Sequence, residues 1–402
     1  RTFETTKGAT EWDKRMGALE YDPQRKVLVA WAGGRETAYL DTSTMSWRRF
    51  KNAGSSAAPI RKLEHDYAAS GAIYGRWRFV PKYDVFIGYN APGRNVWVWK
   101  PADLNEGDES ALPPTLASFL DKLQDGQQLT LPPGTYNEAA VIRANNVRIK
   151  AEGVRLEDRA IEGKAALVIK GNNVTIEGLR CSGISVSSGN GACIRLEGKD
   201  LSLKRVHFHD SESGLLTSNR DSGTILIEDS RFERLGRPHA HGIYIGRGQT
   251  HLIVRGSHFL SMTNEGHEIK SRATRNTIER NVIASLDGID SRLIDLPEGG
   301  ENIIRGNVLE KGPASSNQDL IGIGLEGQRA LHSLNSTLIE NNVIIMERSG
   351  RNVLVHHRFV PAPRLERNIV IGGNHPGGTN KWYANRATAG LAPYPALPTL
   401  PK

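Results

Sequence analysis

No apolar run in this chain approaches the ~18 residues that a membrane span requires, which excludes a helical integral membrane protein. No signal peptide is present, and because the chain begins with Arg1 and not Met, a processed or trimmed product is expected. Lys/Arg-rich runs are missing, as are recognition-helix patterns and aromatic residues interleaved with basic ones in residues 112–375, so nucleic acid is not the expected partner. The formal net charge is nevertheless +8 and the sequence pI about 9.4. That balance suits a polyanion, and an acidic polysaccharide fits it best; simple solubilisation of the surface is the bland alternative. Tryptophan is scarce after the first quarter, six of seven lying before residue 100.

What the chain does contain is a six-residue phrase written nine times. It begins at Ile149, Ile176, Leu203, Ile227, Val254, Ile278, Ile304, Ile339 and Leu365: an aliphatic residue, usually a charged one, small or polar positions, then an apolar residue five places on, as in IEDSRF, IRGNVL and IENNVI. Intervals of 24 to 35 residues are too short for propeller blades. Val/Ile-rich runs with Gly and Asn at the corners argue against helical repeats. A strand-rich unit of this length is one turn of a parallel β-solenoid, in which stacked turns ~4.8 Å apart share a core that none could bury alone. Ahead of the first repeat, Leu116, Phe119, Leu120 and Leu123 fall at helical spacing between Pro114 and Gly126, predicting an amphipathic helix that caps the open strand edge. Cys181 fills the terminal apolar slot of its repeat and Cys193 precedes a core strand; two buried thiols are expected, with a disulfide between neighbouring turns left open.

The segment from Asp125 to Tyr136, DGQQLTLPPGTY, resembles the leading segment of the pectate-lyase-like superfamily of right-handed parallel β-helices. The fold expected is therefore all-β, a right-handed parallel β-helix of about nine or more coils over 112–375, with a Pro-rich tail over 376–402 that wraps along the solenoid or is loosely ordered. Residues 1–103 read as a separate β-domain. GALEYDPQRKVLVAWAGG and GRWRFVPKYDVFIGYNAPG echo each other at about the ~50-residue period of kelch-type blades. Two blades cannot close a propeller. Either earlier blades are missing from this chain, the favoured reading, or these residues form a small domain of their own.

Ionisable residues concentrate in three consecutive turns, HAHGIYIGRG, EGHEIKSRATRN and GIDSRLIDLPEGG, followed by IGIGLEG. With Ile243, Ile245 and Ile269 inward, strand alternation turns Tyr244, Glu268 and Lys270 outward. They join His239, His241, His267, Arg272, Arg292, Asp295 and Glu326 as one candidate patch. Whether Leu293 or Ile294 faces inward, and hence whether Arg292 or Asp295 joins the groove, is open, since a one-residue slip exchanges them. Adjacent His356 and His357 are expected on opposite faces, one of them toward the core. The Asn pairs, such as Asn341–Asn342, are expected at corners, bonding turn backbones. The loop Gln328–Ser336 or the stretch Pro313–Asp319 is expected to wall the groove.

EGHEIKSRATRNTIERNVI, with Arg292 one turn later, resembles the chondroitinase B and alginate lyase family of polysaccharide lyases. The resemblance places Lys270 on the general base, Arg292 on its acid-side partner, and Glu265 and Glu268 near the family's calcium ligands. It implies a secreted or periplasmic, calcium-assisted lyase, with no organic cofactor and a monomeric state expected. The chain departs from that pattern where His239 and His241 stand in the neighbourhood of a ligand Asn.

β-Elimination from a uronate requires neutralisation of its carboxylate, a base for the C5 proton, and an acid for the leaving oxygen. Arg272 and Arg292, Lys270, and Tyr244 or His241 supply these types, and Lys270→Ala and Arg292→Ala are each expected to abolish activity with little loss of folding. An epimerase would share this chemistry. A glycoside hydrolase using Glu268, Asp295 and Glu326, or a non-catalytic glycan-binding protein, are the alternatives.

Overall fold

The computed structural model describes residues 18–31, 37–41, 46–49, 77–88, 96–101, 115–236 and 240–401. His239 and Pro114 lie outside them. The chain divides into two compact units, Arg1–Thr115 and Leu116–Lys402. In the first, the two echoing segments form two antiparallel sheets. Strands Ala18–Asp22, Val27–Trp31, Thr37–Asp41 and Ser46–Arg49 pair in sequence order, as do Trp77–Val80, Val85–Gly88 and Trp97–Trp99. Val29, Tyr39, Trp77 and Phe86 share one core, and Arg25 bridges buried Asp22 (2.9 Å) and Asp84 (2.7 Å).

The second unit is a parallel β-solenoid built on the repeat. Each of the nine aliphatic starts sits directly over the next, from Ile149 on Ile176 to Ile339 on Leu365, and Leu129 adds one rung before them. The apolar residues five places on stack likewise in an eleven-stranded sheet: Cys181, Phe208, Phe232, Phe259, Ile283, Leu309, Ile344 and Val370. Phe232 and Phe259 lie ring on ring at 4.7 Å. Only the first coil differs, pairing Leu156 and not Val154 with Cys181. The capping helix is short, Leu116–Leu120, but buries Leu116 and Leu120 and packs Phe119 and Leu123 on the core as the spacing predicts.

Two polar columns explain why the coils stay in register. At the fourth position of the repeat, Asn281, Asn307, Asn342, Asn368 and Asn380 stack in the interior, each side-chain amide donating to the next side-chain oxygen at 2.8–3.1 Å. Each also donates to a backbone carbonyl of a neighbouring coil, such as Asn307 to Ile278 at 2.9 Å. The second position carries the sequence's charged residue, its sign alternating from coil to coil over Lys150, Glu177, Lys204, Glu228, Arg255, Glu279, Arg305 and Glu340, until Glu366 in the last repeat repeats the negative sign. Opposite charges face each other across neighbouring strands, as Lys204 does Glu228 at 2.9 Å and Arg305 does Glu279 at 2.7 Å.

Two expectations are corrected. Cys181 and Cys193 are not two thiols but a disulfide; they lie on adjoining strands of the two sheets, and the stacking brings their Cα atoms to 5.8 Å. Neither His356 nor His357 reaches the core; both are exposed. Of the two arrangements open for the tail, it lies along the solenoid: Ala389, Leu391 and Leu397 cover the apolar outer face of the eleven-stranded sheet at Val282, Val308 and Val343.

Under that tail lies Glu310. Burial, helped by Glu347 and Asp290 and opposed by the N–H of Leu286, pushes its carboxyl up to about 7. Since the folded value exceeds the unfolded one, the stability it contributes is complete below about pH 4 and is lost as pH rises through about 7. Glu310→Gln keeps an acceptor for Leu286 and is expected to raise stability at pH 8 relative to pH 4 by on the order of 2 kcal/mol. Urea denaturation at the two pH values checks it, and an unchanged pH slope refutes it.

Candidate active site

Strand Ile269–Glu279 carries the centre of the site, with Ile269 in the core and Lys270 and Arg272 alternating outward. Register then sets the neighbours of Lys270. Tyr244 lies on the preceding coil, Asp295 on the next, then Gly322 and His356. The Lys270 ammonium stands 5.7 Å over the Tyr244 ring, 3.6 Å from Asp295 Oδ2 and 3.3 Å from Glu326 Oε1. Arg272 donates to the Tyr244 phenol oxygen at 2.9 Å, to Glu298 at 3.0 Å and to Glu326 at 2.8 Å. Arg292 reaches Asp295 at 3.3 Å and Asp319 at 3.2 Å, and Asp319 also meets His356 at 2.8 Å.

Arg292 and Asp295 therefore both belong to the groove. Leu293 and Ile294 are both fully buried, because the strand starts only at Ile294 and the bend before it breaks the alternation. The same physics corrects Glu268. It precedes the strand at a bend, and it points into the solenoid beside Ile269. Neither of its oxygens receives a hydrogen bond. Burial and the adjacent Asp290 raise its carboxyl well above the usual range, against the pull of Lys311. Asp290 accepts from Ser285 at 2.7 Å, and the buried Lys311 amine, lowered by burial, donates to the Ser291 carbonyl. Lys270 thus pairs with Asp295 and Glu326, not with Glu268. Glu265 is exposed on a left-handed turn. The two carboxylates expected near calcium are not brought together, and among the described residues no three His, Cys, Asp or Glu side chains are grouped to hold a metal ion. They do not fit the ion.

The two histidines form a stacked pair, with ring centres 4.9 Å apart. His241 Nδ1 accepts the N–H of His267, and His267 Nδ1 accepts the N–H of Arg292 (3.1 and 3.0 Å). Each ring's acidic hydrogen is therefore on Nε2, and that of His267 faces Asp295 at 3.5 Å. Burial, with Lys270 and Arg292 nearby, lowers His267 to about 3, so the ring is neutral. Buried His241 sets its ring against the edge of Tyr244 at 5.4 Å and lies behind it rather than at the groove surface. Burial raises the Asp295 carboxyl, though Lys270 and Arg292 oppose the rise. At Glu326 burial also pulls upward, but the bond from Arg272 and the nearby Lys270 win and hold it low.

Asp319, Glu298 and Arg247, which bonds Glu298 at 2.9 Å, complete the network without having been singled out in the sequence, and His356, expected only as one of an adjacent pair on opposite faces, joins it through Asp319. His356 was legible as the same strand position two coils after Asp295; Asp319 and Glu298 had no local signal. Gly322 is equally telling. A Cβ there would lie 2.6 Å from Arg292 Cδ and 2.9 Å from Asp295 Oδ1, so only glycine lets Arg292 lie across the strand to Asp319. Gly322→Ala is expected to displace that guanidinium and lower turnover about tenfold or more. A fully active, normally folded variant would free Arg292 from any role.

The Gln328–Ser336 loop borders the groove as expected: His332 donates to the Arg272 carbonyl at 3.1 Å, and its own N–H bonds Glu298. Beyond Arg272 the same strand runs into two open depressions of about 460 and 430 Å³, which share Arg275 and Glu301 and have His332–Leu334 and Arg364 on their walls.

The family described as "Right handed beta helix region" matches residues 135–283. The solenoid is a right-handed parallel β-helix. No curated protein matches the chain. Among solved structures it is similar to "a new PL6 alginate lyase complex with trisaccharide", at 15% identity over 65% of this chain and 56% of that one, with a TM-score of 0.34. It is similar to "complex structure of alginate lyase AlyF-OU02 with G6" at 15% over the same shares, TM-score 0.31. A third, "Geobacillus virus E2 - ORF18", shows 16% identity over 63% of this chain and 54% of that one, TM-score 0.37. The β-helix chain thus spans a little over half the length of each. At this level of likeness the site stands on its own geometry.

Proposed function

We propose that the groove cleaves an acidic, uronate-containing polysaccharide by β-elimination. The observation that carries this reading is the convergence of one ammonium, two guanidiniums and a phenol, from three successive coils, around the buried carboxyl of Asp295. Glu326 is the exposed partner of Arg272, and a uronate carboxylate takes its place there. The guanidinium then neutralises the charge that builds up as the C5 proton leaves. Lys270, its own proton passed to Asp295 at 3.6 Å, takes the C5 proton. The freed electron pair forms the C4–C5 double bond, and the C4–O bond breaks. The departing oxygen takes the hydroxyl proton of Tyr244, whose lone pair is occupied by Arg272. His241 positions that ring. All these groups come from one chain, so a monomer suffices, and the Cys181–Cys193 disulfide supports an exported site of action.

One observation favours a second reading. The carboxyls of Asp295 and Glu326, both beside Lys270, are shifted in opposite directions, as an acid and base pair in a hydrolase requires. Glu268, inside the solenoid, is no part of it. Acidic polysaccharides incubated with the protein, with and without a calcium chelator, separate the readings. Elimination creates an unsaturated product that absorbs in the ultraviolet, in either condition; new reducing ends without absorbance point to hydrolysis, and neither product to a binding protein.

A further inference from the structure

On the outer face of the eleven-stranded sheet, away from the groove, one column reads Arg155, Arg180, His207, Arg231, His258 on five successive coils. Arg155, Arg180, Arg231 and His258 are exposed. Neighbouring strands are ~4.8 Å apart, and like charges placed opposite each other across that gap repel. The column at the second position of the repeat alternates in sign from Lys150 to Glu340, and where it ends with Glu340 opposite Glu366, Arg367 bridges both acids. Here Arg155 faces Arg180 directly with no acid between them, and since burial lowers His207 and His258 toward the neutral imidazole, the fixed positive charges of the column are Arg155, Arg180 and Arg231. Glu157 and Glu233 lie on the same face, and Glu233 braces His207 (3.1 Å), Arg231 (2.6 Å) and Arg234 (3.1 Å). Arg155 and Arg180 have no ion-pair or hydrogen-bond partner for their side chains among the described residues. After His258 the column continues as Val282, Val308 and Val343, and there the C-terminal tail covers it. The basic half is left open.

We propose that this column is a second, non-catalytic binding site for a linear acidic polysaccharide, lying along the solenoid axis with its carboxylates or sulfates held by Arg155 and Arg180. The rise from strand to strand and the length of a pyranose unit are similar, so adjacent sugars meet Arg155 and Arg180. The alternative polyanion, a nucleic acid, would want bases stacked on aromatic rings; the aromatic residues of these strands, Phe208, Phe232 and Phe259, all face the core. The choice of a polysaccharide rests on the function proposed for the groove, while the site itself does not depend on turnover.

The test is affinity electrophoresis through gels containing alginate or polygalacturonate, run in a Lys270→Ala background so that the polymer is not digested. Arg155→Glu/Arg180→Glu is expected to weaken retardation about tenfold or more, and added salt to weaken it in the parent. Lys122→Glu/Lys199→Glu, an equal charge change at other exposed positions, is expected to have little effect. Arg180→Glu alone restores alternation with Arg155, so its thermal midpoint should not fall, which keeps a loss of binding distinct from a loss of fold. Equal losses in both double variants, unchanged retardation, or stronger capture by single-stranded nucleic acid each overturn the proposal. Cleavage of a short uronate oligomer by Arg155→Glu/Arg180→Glu in the otherwise native chain tests the groove separately: retained cleavage with unchanged polymer binding sinks this inference alone, and retained binding by a chain that never cleaves sinks only the lyase reading.

Discussion

Lys270→Ala is expected to reduce turnover of a uronate polymer by about 10³, the size of a lost general base, with a thermal midpoint close to that of the parent. The side chain stands on an outward strand position, 15% exposed, and its removal opens no core cavity. Its partners tolerate the loss unequally. Glu326 keeps Arg272, and Asp295 keeps Arg292 and His267. Arg292→Ala is a different case, and the early expectation of an undisturbed fold is revised for it. It strips the guanidinium from Asp295 and Asp319, both with side chains only 4% exposed, and breaking a buried pair from one side costs about 3 kcal/mol or more. Activity and stability should therefore fall together in Arg292→Ala but separate in Lys270→Ala. Ultraviolet product formation alongside a thermal melt reads both. Turnover by Lys270→Ala at the parent rate would remove the amine from the chemistry and leave Tyr244 and the histidines to be tested as bases.

Asn307→Ala is expected to be the most damaging polar substitution in the solenoid, costing on the order of 3 kcal/mol or more. Its side-chain oxygen accepts from both the backbone and the amide of Asn281, while its amide donates to Ile278 and Asn342. Truncation leaves the Asn281 donors and the Ile278 carbonyl unpaired where no water reaches, and each buried orphan costs about 1–3 kcal/mol. Asn307→Ser should cost less. Serine already fills this column two and three coils earlier, at Ser257 and Ser230, where its hydroxyl accepts the N–H of the preceding coil. Urea unfolding of the two variants checks the order, and equal losses would show that the column works by packing volume rather than by hydrogen bonds.

The helix-capped stack, its register and its two buried apolar columns were legible because one spacing recurs and burial acts on every copy alike. The mistaken readings at the groove arose where that regularity stops. Glu268 and Leu293 sit at bends just ahead of strands, where a residue and its neighbour can face the same way. Strand alternation, extrapolated one residue too far, placed Glu268 in the groove, and extrapolated two too far made Arg292 and Asp295 compete for it. His356 and His357 were judged by alternation alone, although the coil there is near the open end of the core and leaves both exposed.

What the sequence by itself determined is the coil: a hydrophobic period that cannot be satisfied within one unit must stack, and asparagine and alternating charge at constant offsets allow one register only. The partners of Lys270 were decided by the tertiary structure. Residues 25 to 56 positions apart along the chain become neighbours through stacking, and which carboxylate reaches which cation depends on bends, a glycine notch at Gly322 and a loop after Ile323. Such contacts leave no local pattern, because the chain between them is free to vary as long as each coil closes.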